Sequence, residues 1–146
     1  MPKASIDFFK EDIRFRFSAK DEVVQWVSKA IRNEGFTAGA VNIVFCNDKF
    51  LRTINKRFLN HDYETDIVTF PTGDDPSVIN GELYISVERV IENASSYGVS
   101  FNDELHRVII HGILHLCNYS DKSPMKSKEM RKREDHYLAR RTWIKK

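Results

Sequence analysis

No stretch of this sequence approaches the ~20 consecutive apolar residues that a membrane-spanning helix needs, and the mean hydropathy is −0.47. A helical membrane protein is therefore excluded. Cysteine is scarce: Cys46 and Cys117 share no paired spacing, so both are expected to be reduced, buried thiols of a cytoplasmic protein. Glycine and proline are also few, at 6 and 4 residues, which argues against a fibre or a disordered chain. Repeats and low-complexity tracts are absent. The first dozen residues contain Asp7, Glu11 and Asp12, with no long apolar run after them, which argues against a secretory signal. A dominant charge sign is missing too, since 23 basic and 21 acidic residues leave a net charge of +2.

What is present is ordinary globular composition in 146 residues, 41% hydrophobic and 30% charged. That length suits one domain, residues 1–146, with a core that needs no covalent staple. The charge is unevenly placed. Residues 1–121 carry 13 basic and 18 acidic side chains, whereas residues 122–146 carry 10 and 3. A basic tail on a mildly acidic body fits a polyanionic partner such as nucleic acid, although a solvated lysine-rich helix reads the same way.

Residues 13–17 alternate apolar and basic and predict a half-exposed strand. Ser18 and Asp21 offer caps for a helix carrying Val23, Trp26, Val27, Ala30 and Ile31, ended by Gly35. Further strands are expected at residues 41–45, 67–70 and 83–85, with a loop over 72–80. Asp48 and Ser86 are the expected caps of two more helices. The next helix, capped by Asn102, is apolar around most of its circumference and is expected at the centre of the domain. A last helix is expected over residues 127–143. The fold class is α+β: a small mixed four-stranded sheet packed with about five helices.

The chemistry gathers on the central helix. His111 and His115 are four apart and share one face at the margin of its apolar stripe. Asn118 tolerates the left-handed conformation of a helix C′ position, so the chain can turn back and bring Asp121 to the same imidazoles. Two histidines and a carboxylate with an open fourth position match a catalytic zinc site, and suit nickel, manganese or iron as well. From spacing alone, a pair of core histidines satisfied by backbone or a carboxylate stands equally well. Gly112 occupies the place where metallopeptidases of the H-E-x-x-H type carry their glutamate base, which argues against peptide hydrolysis. A glycine there is expected to allow close packing against a strand. A phosphodiester tolerates the missing base, because its oxygens bind a metal directly.

The segments His111–His115, Thr65-Asp66-Ile67-Val68-Thr69-Phe70-Pro71 and Gly81-Glu82-Leu83-Tyr84-Ile85-Ser86, in that relation to Asn55 and Met130, resemble the YbeY family of bacterial endoribonucleases. The likeness runs over about residues 40–138. It implies a zinc-dependent, single-strand-specific endoribonuclease that hydrolyses RNA with a metal-activated water. Such an enzyme matures the 3′ end of 16S rRNA and serves ribosome quality control in the cytoplasm. The implied partners are single-stranded RNA and the small ribosomal subunit, and the implied unit is a monomer with one zinc ion. The ligands carried over are His111, His115 and Asp121, acting in catalysis through the metal. The family more often has histidine at Asp121, glycine at Asn118 and arginine at Leu59. Candidate RNA contacts are Arg57, Thr65, Asp66, Arg131, Lys132 and Arg133. Thr65 and Asp66 also suit turn-and-cap chemistry at a strand start. Glu104 reads as a residue matched to the helix dipole, Trp143 as core, and His61, His106 and His136 as surface or structural. A non-catalytic ribosome-associated RNA-binding factor with a structural metal is the competing reading.

Overall fold

The computed structural model describes residues 5–59 and 65–144, so His61 lies outside the described residues. Among the described residues four strands form one mixed sheet in the order β1-β2-β4-β3. They are β1 (Ser5–Glu11), β2 (Thr37–Cys46), β3 (Ile67–Pro71) and β4 (Val78–Ser86). β1 and β4 flank β2 in parallel, and β3 closes the sheet antiparallel to β4. Val41, Ile43, Val44 and Phe45 on β2 are all buried, as expected of a strand covered on both faces. Pro71 sits on edge strand β3, where its missing N–H disturbs no inner ladder.

Among the described residues five helices cover the sheet: α1 (Lys20–Asn33), α2 (Asp48–Leu59), α3 (Val87–Tyr97), α4 (Phe101–Leu116) and α5 (Pro124–Leu138). The expected α+β architecture is therefore observed. Helix α4 is the central one, packed against β3, β4, α1, α3 and α5. Ile109, Ile110, Ile113 and Leu114 on it are fully buried. Leu51 of helix α2 joins Cys46 and Val68, strand residues that alternate away from the main core, in a smaller cluster.

Several local expectations shift. Residues 13–17 do alternate in burial, and Phe15 and Phe17 pack against Phe45 with ring centroids 5.0 and 4.9 Å away. They form no strand, because residues 5–11 already occupy the edge of β2. Helix α1 starts after Ala19 in a left-handed conformation, with no side-chain cap. Phe17, just upstream of that start, is buried against Phe45. Asn47, not Asp48, accepts the Phe50 N–H that opens α2. Asp48 instead accepts from Ser86 Oγ and the Arg89 guanidinium. Ser100, not Asn102, caps α4, and Ser123 caps α5 ahead of Pro124. Helix α5 ends at Leu138, so the expected continuation to residue 143 is a non-helical tail whose Trp143 packs on Trp26. Ser86 and Gly98 bound α3 as expected. Cys46 and Cys117 are buried and free, and burial pushes both thiols up to about 12.

Gly112 is where α4 meets the sheet. A Cβ there would lie 2.6 Å from Leu83 Cδ2 and 2.7 Å from Ile67 Cδ1. Gly112→Ala should gain ~1 kcal/mol of helix propensity and lose about 1–3 kcal/mol to overpacking. The expected net result is a lower urea midpoint; a raised midpoint would show that β3 and β4 give way.

His106 is buried beside Trp26 and Trp143, and Arg141 donates to its Nδ1 at 2.9 Å. Burial, then the charge of Arg141, pulls its pKa from 6.5 to about 4, with Asp103 opposing. The folded protein thus binds this proton less readily than the unfolded chain. Stability is full above pH 6.5 and is lost as the pH falls toward 4, by up to about 3 kcal/mol. His106→Gln should flatten that part of the acid dependence in urea titrations; an unchanged slope would assign it to other groups.

Candidate metal centre

Helix α4 ends in a turn that assembles the site. Asn118 has φ 75°, Tyr119 N–H bonds to the Leu114 carbonyl, and Asn118 N–H bonds to that of His115. This Schellman arrangement satisfies the last carbonyls of α4 and sends the chain back over its own end. The structure brings His111, His115 and Asp121 together in consequence. The two Nε2 atoms are 3.0 Å apart, and Asp121 Oδ2 lies 3.5 and 3.6 Å from them. Ligands of a tetrahedral ion with bonds of 2.0–2.1 Å stand about 3.4 Å apart, so the three atoms are already spaced to hold one. They are the converging group of potential metal ligands among the described residues.

The far nitrogens support the same reading. His111 Nδ1 faces Glu134 Oε2 at 2.6 Å, and His115 Nδ1 faces the Tyr119 carbonyl at 3.1 Å. Each imidazole thereby keeps a proton on Nδ1 and turns the lone pair of Nε2 inward, the usual support of a histidine metal ligand. Without an ion, burial lowers the pKa of His111, but the hydrogen bond and charge of Glu134 with the charges of Asp121 and Asp66 outweigh it and leave a net rise. His115 is lowered, by burial and then by the His111 charge.

Glu134 is buried on α5 and is also paired to Arg107 at 2.9 Å, while Arg107 holds Asp135 at 2.6 Å. Glu34, at the end of α1, accepts hydrogen bonds from Tyr119 and Tyr137 and is ion-paired to Arg133. Burial opposes ionisation of Glu34, but these partners hold its pKa below the ordinary carboxylate value. The cluster ties α1, the turn after α4 and α5 together, and so fixes both the Asp121 loop and Glu134. Sequence reasoning named neither glutamate. The available signal was the buried spacing of Met130, Glu134 and Tyr137 on one face of α5.

Two clefts of about 300 and about 560 Å³ flank this centre, and His111, Asp121 and Asp66 line both. Thr65, Asn55, Leu59 and Lys122 line the larger, and Glu104 and Arg131 the smaller. Leu59 therefore faces the cleft at the place where the resemblance has an arginine. Burial, opposed by the His111 charge, raises the pKa of Asp66. Arg133 is engaged by Glu34 and lies 5.3 Å from the Tyr137 ring. Lys132 is exposed, and Arg57 lies outside both cleft linings, against Phe58 on α2.

The model of the family described as Endoribonuclease YbeY matches residues 5–142. The chain belongs to this family. Relatives named Endoribonuclease YbeY include one from Amoebophilus asiaticus, 42% identical over 94% of both chains. Another, from Flavobacterium psychrophilum, is 43% identical over 89% of this chain and 92% of its own. The solution structure of TM1509 from Thermotoga maritima superposes with a TM-score of 0.64 at 26% identity, covering 93% of this chain and 88% of that one. No helix among the described residues is long and apolar enough to cross a membrane. Within this YbeY chain the two histidines and the aspartate can hold a metal ion.

Proposed function

We propose that this chain is a zinc-dependent endoribonuclease of the cytoplasm that hydrolyses single-stranded RNA, acting in 3′-end maturation of 16S rRNA on the small subunit and in ribosome quality control. Family membership supports the RNA substrate. The observation that carries the chemistry is the convergence of His111 Nε2, His115 Nε2 and Asp121 Oδ2 between two open clefts. When bound, the ion supplies Lewis acidity toward a phosphodiester and an activated water.

The chain's own residues do the rest. His111 and His115 hold the ion through Nε2, each keeping its proton on Nδ1 against Glu134 or the Tyr119 carbonyl. Asp121 supplies the anionic ligand and makes the centre one unit less positive than a three-histidine set. With only three protein donors, these residues would leave the ion accessible to substrate from the clefts. Arg131 and Lys122 stand at the cleft margins, suited to phosphates, Thr65 lines the larger cleft, and Asp66 lines both. One chain contains all three ligands, so a monomer with one ion is the expected unit.

The test is cleavage of a labelled single-stranded RNA with and without chelator, beside His115→Ala. Chelation and the substitution should each abolish cleavage, and zinc should restore it only to the wild type. Cleavage that survives both would overturn the reading. Tight RNA binding without cleavage by zinc-loaded protein would establish the binding-factor alternative.

A further inference from the structure

The smaller cleft holds a side chain that the metal centre does not use. Glu104 is only 4% exposed, yet its carboxylate makes no hydrogen bond or ion pair with the described residues. It stands two turns from His111 on α4 and lines the cleft with Asp66, Met130 and Val108. Burial, reinforced by the Asp66 charge, raises its pKa. Its oxygens are not sealed in the core but open onto this cleft, where the donors of a ligand would find free acceptors. The charges of Arg107 and Arg131 offset part of the pKa rise, but the Arg107 guanidinium is itself bonded to Glu134 and Asp135. At the rim stands Tyr97, 64% exposed, with Arg131 at the mouth.

The chemistry of that lining selects the ligand. Carboxylates on the floor repel a phosphate, whereas a nucleobase brings N–H donors. The apolar wall of Val108 and Met130 and the tyrosine face suit a flat ring. A carboxylate offers two neighbouring acceptors. Guanine alone sets two donors side by side on its Watson–Crick edge, N1–H and N2–H₂. Adenine and cytosine put a ring acceptor beside their amino group, and uracil flanks its single N–H with carbonyls.

We infer that this cleft is a guanine-recognition subsite next to the metal centre, with Glu104 reading the Watson–Crick edge, Tyr97 stacking on the ring and Arg131 holding the adjoining phosphate. The subsite deepens the ribonuclease reading above by setting which nucleotide lies beside the scissile bond.

Nucleoside 5′-monophosphates test it, because they are bound but offer no internucleotide bond to cut. Calorimetry on zinc-loaded protein should find guanosine monophosphate roughly tenfold or more tighter than the adenosine, cytidine and uridine compounds, the usual effect of a bidentate base contact. Inosine monophosphate, which lacks the N2 amino group, should lose most of that advantage. Glu104→Gln should bring guanosine monophosphate down to the level of the others while leaving those within about twofold. If this variant fails to fold by circular dichroism, the guanosine–inosine comparison on wild type decides alone. Equal binding of guanosine and inosine monophosphates, or a preference that persists in folded Glu104→Gln, overturns the subsite. A preserved guanine preference in a protein that cleaves no RNA would reject the ribonuclease reading and leave the subsite standing.

Discussion

Asp121→Ala protein, loaded with zinc and dialysed, should emerge essentially without metal. Two imidazoles would remain, leaving two of four tetrahedral positions to solvent. Loss of a supporting partner alone typically costs ~10–100-fold in metal affinity, and loss of a direct ligand should exceed that. Asp121→His should behave in the opposite way. The aspartate is 44% exposed at its side chain, so an imidazole has room at the rim of the two clefts. It would give a three-histidine ligand set and remove one negative charge from the residues around the ion. The expected outcome is metal retained through dialysis in wild type and Asp121→His, and lost in Asp121→Ala. Neither substitution should disturb the fold by much, because the aspartate side chain is exposed at the rim of the clefts. Metal content measured after dialysis, with circular dichroism as the control, separates the cases. Retention of metal by Asp121→Ala at the wild-type level would remove Asp121 from the ligand set.

The legible part of the site was the part written in local spacing. His111 and His115 sit one helical turn apart, and Asn118 is a residue that accepts φ 75° and so permits the reversal toward Asp121. Gly112 was legible for the same reason, since a glycine inside an apolar helix points to a close neighbour, here Leu83 and Ile67. Helices α1, α3 and α4 were readable from their apolar periodicity, and Ser86 marked the start of α3, while the start points of α1 and α4 were not legible. Ser18, Asp21, Asp48 and Asn102 all have capping chemistry, and only tertiary packing decides which residue takes the position. Residues 13–17 carry a strand's alternation because one side faces Phe45, whether or not a ladder forms beside them. The illegible part was set by long-range pairing. Glu134 reaches His111 from 23 residues downstream, on a helix whose sequence advertises only its basic charge. Its buried face is Met130, Glu134 and Tyr137, and a glutamate in the middle of that face breaks the hydrophobic signal that would mark it. Glu34 gathers Tyr119, Arg133 and Tyr137 from across the chain, and no local motif announces such a hub.

Glu134→Ala is expected to weaken metal binding by ~10–100-fold although the residue touches no metal position. The carboxylate is 6% exposed and accepts from His111 Nδ1 at 2.6 Å. Without it the ring loses the partner that fixes its tautomer and aims Nε2 at His115 and Asp121, which raises the cost of holding the ion. The same change breaks the contact to Arg107 at 2.9 Å. Breaking a fully buried pair costs ~3–5 kcal/mol. Arg107 is 23% exposed and keeps Asp135, so a smaller loss, about 2 kcal/mol, is expected in metal-free urea titrations. Glu134→Gln separates the two effects. Its amide oxygen can still accept from His111 Nδ1, so metal affinity should fall by about tenfold or less, while the ion pair with Arg107 is lost. Metal competition titrations and urea midpoints on both variants provide the check. An alanine variant that binds zinc within twofold of wild type would show that the Asp121 turn and the Tyr119 carbonyl orient the imidazoles unaided, and that Glu134 serves only to anchor α5.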